Sequence, residues 1–562
     1  MIEEIKKSIE EAIKNLSLSL LDFTVEHPEN AEFGDYSSNV ALVCAKNLKV
    51  NPMDLAQKIT EILRQTQGDS INRIEIAKPG FINFFLSEDF LKNSLEEILD
   101  KGENYGKNKN LKGQKIIIEY TDANPFKEFH IGHIVDNAVG ETISRIIEWN
   151  GAEVRRANYQ GDVGLHIAKA VAEKIKSRRE WENEKDVASS YASGSKLYEA
   201  DKEFADFVIE INKKIYLKND KEVNEIYELG KRLTLDYFES LYRILGTKFD
   251  YYFFESTTAE FGKALVAENK KIFEESDGAV VYRGEKRDPK LHTRVFINKE
   301  GLPTYEAKEL GLAKIKYDTY PYDLSIVITG NEIKDYFKVI LRVLAEIFPD
   351  LAKKTLHLSH GMMRLPSGKM SSRTGEVITA QSLIDEVRQK ALNKISEGNR
   401  NVTDKNKLSQ DIAVAAIKYS ILKQAIGKDI VFDAESALSF EGDSGPYLQY
   451  TYARINSLVE NGREVGISPT VLTTEVGTGV VERILYRFPE IVERAYEEFS
   501  PQYISTYLIE VASVFNNFYA KNLIVDEKEK IISSHRLAIA KAVSLVIQNG
   551  LYLLGVSSPE KM

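Results

Sequence analysis

Two imidazoles mark where this chain could do chemistry. His130-Ile131-Gly132-His133 lies where a β-rich apolar run (Ile116, Ile117, Ile118) passes through a polar turn into Val135, Val139, Ile143, Ile146 and Ile147, the spacing of one helical face. Histidines at i and i+3 on a helix's first turn share a face. They lie beside backbone N–H groups with no intrahelical partner and the positive end of the helix dipole. A strand feeding such a helix N-terminus suits an anion, phosphate above all. A second basic element comes far later, in Arg364–Glu376 (RLPSGKMSSRTGE), a polar loop with Lys369 near its centre.

The elements that must position these groups read as follows. Residues 1 to about 105 form a small α+β unit, with a helical stripe of Ile2, Ile5, Ile9, Ile13 and Leu16 and paired strands at RIEIA (73–77) and GFINFFL (80–86). A Lys/Gly/Asn-rich linker, 101–115, is the first boundary. From Lys115 the pattern is strand–helix–strand, which predicts a doubly wound parallel sheet of Rossmann type over 106–385. A charged helical insertion interrupts it at about 170–245. The sheet is expected to resume with Phe249–Phe254, Ala279–Tyr282 and Arg294–Ile297, then Leu324–Thr329 and Leu356–Met363. Ligands of such sheets bind beyond the carboxyl ends of the strands. Residues 386–562 read as an all-α bundle. Nine Lys/Arg against three acids over 388–428 offer a face for a polyanion.

Composition narrows the class. At 562 residues the chain exceeds one core, and a net charge of −10 gives no global nucleic-acid signature, so such binding must rest on local patches. One cysteine, Cys44, excludes a disulfide framework and a multi-cysteine zinc site. The amphipathic, acidic N-terminus is unlike a signal peptide, and no apolar run approaches the length of a membrane span. These features predict a cytoplasmic protein without membrane contact.

His130-Ile-Gly-His133 and Lys369-Met370-Ser371-Ser372-Arg373, 239 residues apart and in this order, resemble the two signatures of class I aminoacyl-tRNA synthetases. Thr121-Asp122-Ala123-Asn124-Pro125, Gly161–Gly164 (GDVG), Tyr305 with Glu309, SFEGDSGPYLQYTYARI (439–455) and the ending LLGVSSPEKM narrow the likeness to arginyl-tRNA synthetases, over essentially the whole chain. The resemblance implies ATP-dependent activation of L-arginine and its transfer to tRNA(Arg), with activation requiring bound tRNA. It implies ATP with Mg²⁺ and no zinc or organic cofactor, a monomer, an N-terminal domain that contacts the tRNA and a C-terminal domain that reads the anticodon.

Site roles follow from it. His130, His133 and Lys369 are the expected catalytic groups. Gly132, Met370, Ser371 and Ser372 join them around ATP, Gly132 letting the adenine approach the backbone. An arginine substrate demands a carboxylate for its guanidinium and acceptors for its ammonium. The candidates are Glu119, Asp122, Ala123, Asn124, His133, Glu255, Tyr305, Glu309 and Glu332, with the guanidinium expected to meet Glu309, Glu332 or Glu255. Glu309 stands where the family usually has Asp. The usual Gln of the later turn is missing, its place falling on Glu332 or Ile333. For tRNA the candidates are Tyr447 and Arg454, two helical turns apart on one face, and Met562. No segment is large enough for a separate editing domain, which suits a pocket that rejects analogues lacking a guanidinium.

Overall fold

Five parallel strands carry the site in the computed structural model, which describes residues 1–366, 378–397, 403–472 and 479–562. They are β1 (Lys115–Glu119), β2 (Glu153–Gln160), β3 (Tyr251–Phe254), β4 (Leu324–Gly330) and β5 (Thr355–His360), in the spatial order β5-β4-β1-β2-β3. Ile116, Ile117 and Ile118 are fully buried, as a central strand covered on both faces requires. Helix α1 (Ile131–Trp149) crosses from β1 to β2. The chain then builds outward to β3, whereas β4 and β5 lie on the other side of β1. The order therefore reverses between β1 and β4, the switch point at which such sheets bind ligands.

One expectation needs correction. Ala279–Arg283 and Thr293–Ile297 do not join this sheet; with Glu274–Ser276 they form a separate antiparallel sheet of three strands. The reason is local. Asp277 and Gly278 both have positive φ (49° and 80°) and close a two-residue hairpin, which forces antiparallel pairing because parallel neighbours need a long crossover.

The 170–245 stretch folds into Glu184–Ala200, Lys202–Leu217 and Lys221–Leu245, started by Asn183, Asp201 and Asp220 side chains that accept backbone N–H bonds. With Leu165–Ser177 they enclose Val171, Trp181, Phe204, Val208 and Ile211. Residues 106–453, 490–509 and 548–562 make one compact unit. The other comprises 1–105, 454–489 and 510–547. Its four-stranded antiparallel sheet packs the Ile2–Asn15 helix through Ile5, Ile9 and Ile13. Buried Asp35 accepts the N–H of Leu86 at 2.8 Å and pairs with Arg483. One helix, Lys530–Leu553, does reach the length and hydropathy of a membrane span, contrary to expectation, but 67% of that stretch is buried in the protein.

Candidate active site

His130 is the N-cap of α1, and the two imidazoles stack with ring centroids 3.7 Å apart. His133 Nδ1 accepts the backbone N–H of His130 at 3.1 Å, so the proton of the neutral ring sits on Nε2. A Cβ at Gly132 would meet the His130 ring at 3.0 Å; the missing side chain makes room for that imidazole. Burial holds both rings below the ordinary histidine pKa, His133 further, with His130 and the Lys127 ammonium adding to it. Both are therefore neutral hydrogen-bond donors, and the positive charge beside them belongs to Lys127. Burial lowers the pKa of Lys127 as well, while Glu255 opposes that.

The turn before the helix is under strain: Thr121, Asp122 and Phe126 have φ of 81°, 42° and 68°. Neighbours hold it. Asn137 Nδ2 donates to Thr121 Oγ1 (3.1 Å), and Asp122 Oδ1 accepts the N–H of Tyr159 (2.7 Å). Asn124 Oδ1 accepts the N–H of Gly161 (2.7 Å). A Cβ at Gly161 would meet Asn124 Oδ1 at 2.4 Å and Glu255 Oε1 at 3.0 Å, so the GDVG turn brings Asn124 and Glu255 together over β2. The next residue, Asp162, is fully buried and occupied by Lys231, Tyr227 and Ser256.

The predicted carboxylates divide into two kinds. Glu119 is paired with Lys316 (2.6 Å) and Glu255 with Lys308 (2.7 Å), all four side chains buried. Glu309 has no hydrogen bond or ion pair among the described residues, yet its pKa is pushed well up by burial and then by Glu119. Burial likewise raises Asp122, with Glu119 and Asp136 adding to it. Glu332, exposed in the turn after β4, acts electrostatically on His130 and Asp136. Ala123 is buried and its carbonyl accepts from Gln160 (3.2 Å). Tyr305 is 54% exposed, its ring 5.2 Å from the Lys308 ammonium. Lys127, Lys308, Lys316 and the half-buried Tyr336, whose buried hydroxyl has no partner among the described residues, were not expected at the site. A lysine three residues before His130 was a readable signal; the others were not.

Lys369, Met370, Ser371 and Ser372 lie outside the described residues. The chain returns from that stretch beside the histidines: Ile131 N–H donates to Ile378 O (3.2 Å), and Ala380 N–H to Phe129 O (2.7 Å). Tyr447 is half-buried near the start of the Gly445–Glu464 helix, and the Arg454 guanidinium lies 4.5 Å from the Tyr519 ring centroid. Met562 is half-buried. Within 388–428, Lys390, Lys407 and Lys423 are paired with acids, and Lys394 and Lys418 donate to backbone carbonyls, which leaves a smaller basic face than the sequence suggested.

A doubly wound sheet with stacked histidines at its first strand–helix turn defines a class I aminoacyl-tRNA synthetase catalytic domain, and the family described as tRNA synthetases class I (R), catalytic domain, matches residues 94–434. An arginyl tRNA synthetase N-terminal domain matches 3–86 and a DALR anticodon-binding domain 448–562. The chain is 31% identical to the arginine–tRNA ligase of Treponema denticola, covering 96% of this chain and 94% of that protein. It is 31% identical to that of Clostridium acetobutylicum over 99% and 100%. The arginyl-tRNA synthetase of Thermus thermophilus superposes with a TM-score of 0.82 at 23% identity over the full length of both chains. The chain belongs to the arginyl-tRNA synthetase family.

Proposed function

We propose that this chain is an arginine–tRNA ligase: it joins L-arginine to ATP's α-phosphorus with release of pyrophosphate, then transfers the arginyl group to the 3′ end of tRNA(Arg). The observation that carries the reading is a half-buried carboxylate, Glu309, with no hydrogen bond or ion pair among the described residues, acting electrostatically on Asp122 in the turn that leads to the neutral stacked histidines. A guanidinium brought to Glu309 gains a charge-assisted, two-pronged partner. Asn124 and Asp122, across the strained turn, supply polar groups to the α-amino end.

The arginine carboxylate attacks phosphorus in line; a P–O bond forms to it as the bond to pyrophosphate breaks. Positioning and charge stabilisation do most of the work in such transfers. His133 Nε2–H and the α1 N-terminus donate to phosphoryl oxygens, and Lys127 supplies the fixed positive charge. Lys369 is assigned to the leaving pyrophosphate by family likeness alone. Mg²⁺ would enter on the phosphates of ATP. Tyr447, Arg454 and Met562 are proposed to meet the tRNA, and the molecule to work as a cytoplasmic monomer.

The test is charging of tRNA(Arg) with each amino acid in turn. Arginyl-tRNA as the sole product is expected; charging of another amino acid in preference would refute the reading. Pyrophosphate exchange with and without tRNA checks the coupling, and strong exchange without tRNA would remove that part alone.

A further inference from the structure

Asp136 and His360 meet at the switch point, each with one side-chain atom left without a partner among the described residues. Asp136 lies on α1 one turn beyond His133, and His360 ends β5, in register with Gly330 at the end of β4. Asp136 Oδ1 and His360 Nε2 are 3.9 Å apart, too far for a direct hydrogen bond. Both atoms are buried without a hydrogen-bond partner among the described residues, and the two side chains are only 12% and 5% exposed. His360 Nδ1 lies 2.8 Å from the Gly361 carbonyl. That bond puts the ring's proton on Nδ1 and leaves Nε2 bare. Burial lowers the His360 pKa and keeps the ring neutral. Burial raises that of Asp136, a hydrogen bond from the Thr121 backbone opposes it, and Glu119 and Glu332 add to it. His360 Nε2, a bare acceptor, thus faces an unpartnered Asp136 oxygen in a buried place, an arrangement that costs free energy until a hydrogen-bond donor comes between them.

The sheet order says which ligand brings that donor. Asn124, Gly161, Glu255 and Lys308, the arginine side of the site, lie over β2 and β3. His360 lies on the other side of β1, at the end of β5 and in register with the end of β4, and Asp136 faces it from α1. A mixed anhydride held across a switch point puts its two halves on opposite sides of the reacting phosphate, so this side takes the nucleoside. Its floor is firm. The N–H of Met362 donates to Asp429 (3.0 Å), Asn331 Nδ2 to the Gly427 carbonyl (2.9 Å), and a Cβ on Gly361 would lie 2.0 Å from the Lys428 carbonyl.

We propose that Asp136 and His360 form a paired acceptor for a hydrogen-bond donor of ATP's nucleoside, either a ribose hydroxyl or the exocyclic amine of adenine. The inference rests on the adenylate-forming reading above and adds two specificity-determining residues to it.

The test compares ATP with 2′-deoxyATP, 3′-deoxyATP and purine riboside triphosphate, which lacks the exocyclic amine, in charging by the full chain. One analogue is expected to raise the wild-type nucleotide KM about tenfold or more, the value of a lost hydrogen bond to a charged or buried acceptor, and to identify the donor. Asp136→Asn and His360→Phe should raise the KM for ATP by a similar factor and lose discrimination against that same analogue, and His360→Phe should leave the KM for arginine unchanged. A wild type that handles all three analogues like ATP overturns the proposal whether or not the variants fold. So does a His360→Phe variant whose arginine KM moves in place of its ATP KM. If the wild type charged no arginine, the ligase reading would fall, and calorimetric titration with ATP and the three analogues would still decide on this pair.

Discussion

At the scale of single residues, the site's division between paired and unpaired charge makes the sharpest predictions. Glu309 is a half-buried acid with no hydrogen bond or ion pair among the described residues, so Glu309→Gln should raise the KM for arginine about 10- to 100-fold, the worth of a charged hydrogen bond, with the KM for ATP unchanged. Steady-state charging measures both, and a mutant with wild-type arginine KM would remove Glu309 from the pocket. Its pKa is held up by burial and Glu119, and the guanidinium needs the ionised form. Arginine affinity should therefore improve as pH rises through that raised pKa, and the Gln variant should lack the dependence. His133→Ala should cost about 10²–10³ in kcat, as loss of one positioned donor does; pre-steady-state adenylate formation would show whether the loss lies in that step. Lys308 and Lys316 could not be foreseen. Their partners lie 53 and 197 residues away, and ion pairing at that separation leaves no local pattern. The histidines were legible because two residues three apart on a helix's first turn need only local geometry.

At the scale of elements, β1, the turn and α1 act as one device. The helix start is fixed by residues that also do chemistry, and the strained turn is held by Asn137 of α1 and Tyr159 of β2. Asn137→Ala removes the donor to Thr121 Oγ1 and should destabilise the protein by about 1–3 kcal/mol, with activity falling further than stability because the positive-φ residues carry Asp122 and Asn124. Denaturant midpoints and charging rates on the same preparation test this; a stable but fully active variant would show that the turn holds its shape unaided. Much of this organisation could be read from Ile116–Ile118 and the apolar face of α1. The strands at 279–283 and 293–297 misled because a short apolar run looks the same in parallel and antiparallel sheets. The Asp277-Gly278 pair was the available sign of a hairpin.

At the scale of the whole molecule, the C-terminal residues reach back to the helix that bears the histidines. Arg145 of α1 donates to the carbonyls of Tyr552 and Gly246 (2.8 and 3.0 Å), and Lys418 to those of Leu245 and Gly555 (2.6 and 3.0 Å). Burial, aided by Arg145, brings the Lys418 ammonium down to about 7 from 10.5. Between those values the unfolded chain holds more protons than the folded one, so stability from this group rises with pH, by about 2 kcal/mol between pH 7 and 9. Lys418→Met should lose that increment, which denaturant midpoints at the two pH values would reveal; an equal rise in both proteins would exclude it.

The lysines within the pocket carry a last consequence. Glu119 and Glu255 already hold an ammonium each. The protein thus seats two permanent lysine look-alikes where a free lysine would be most at home. An incoming cation finds a vacancy of charge at Glu309, and a flat fork fills it better than a point. Discrimination between the two basic amino acids is thus exercised partly by prior tenancy: the wrong cation is refused because its places are taken.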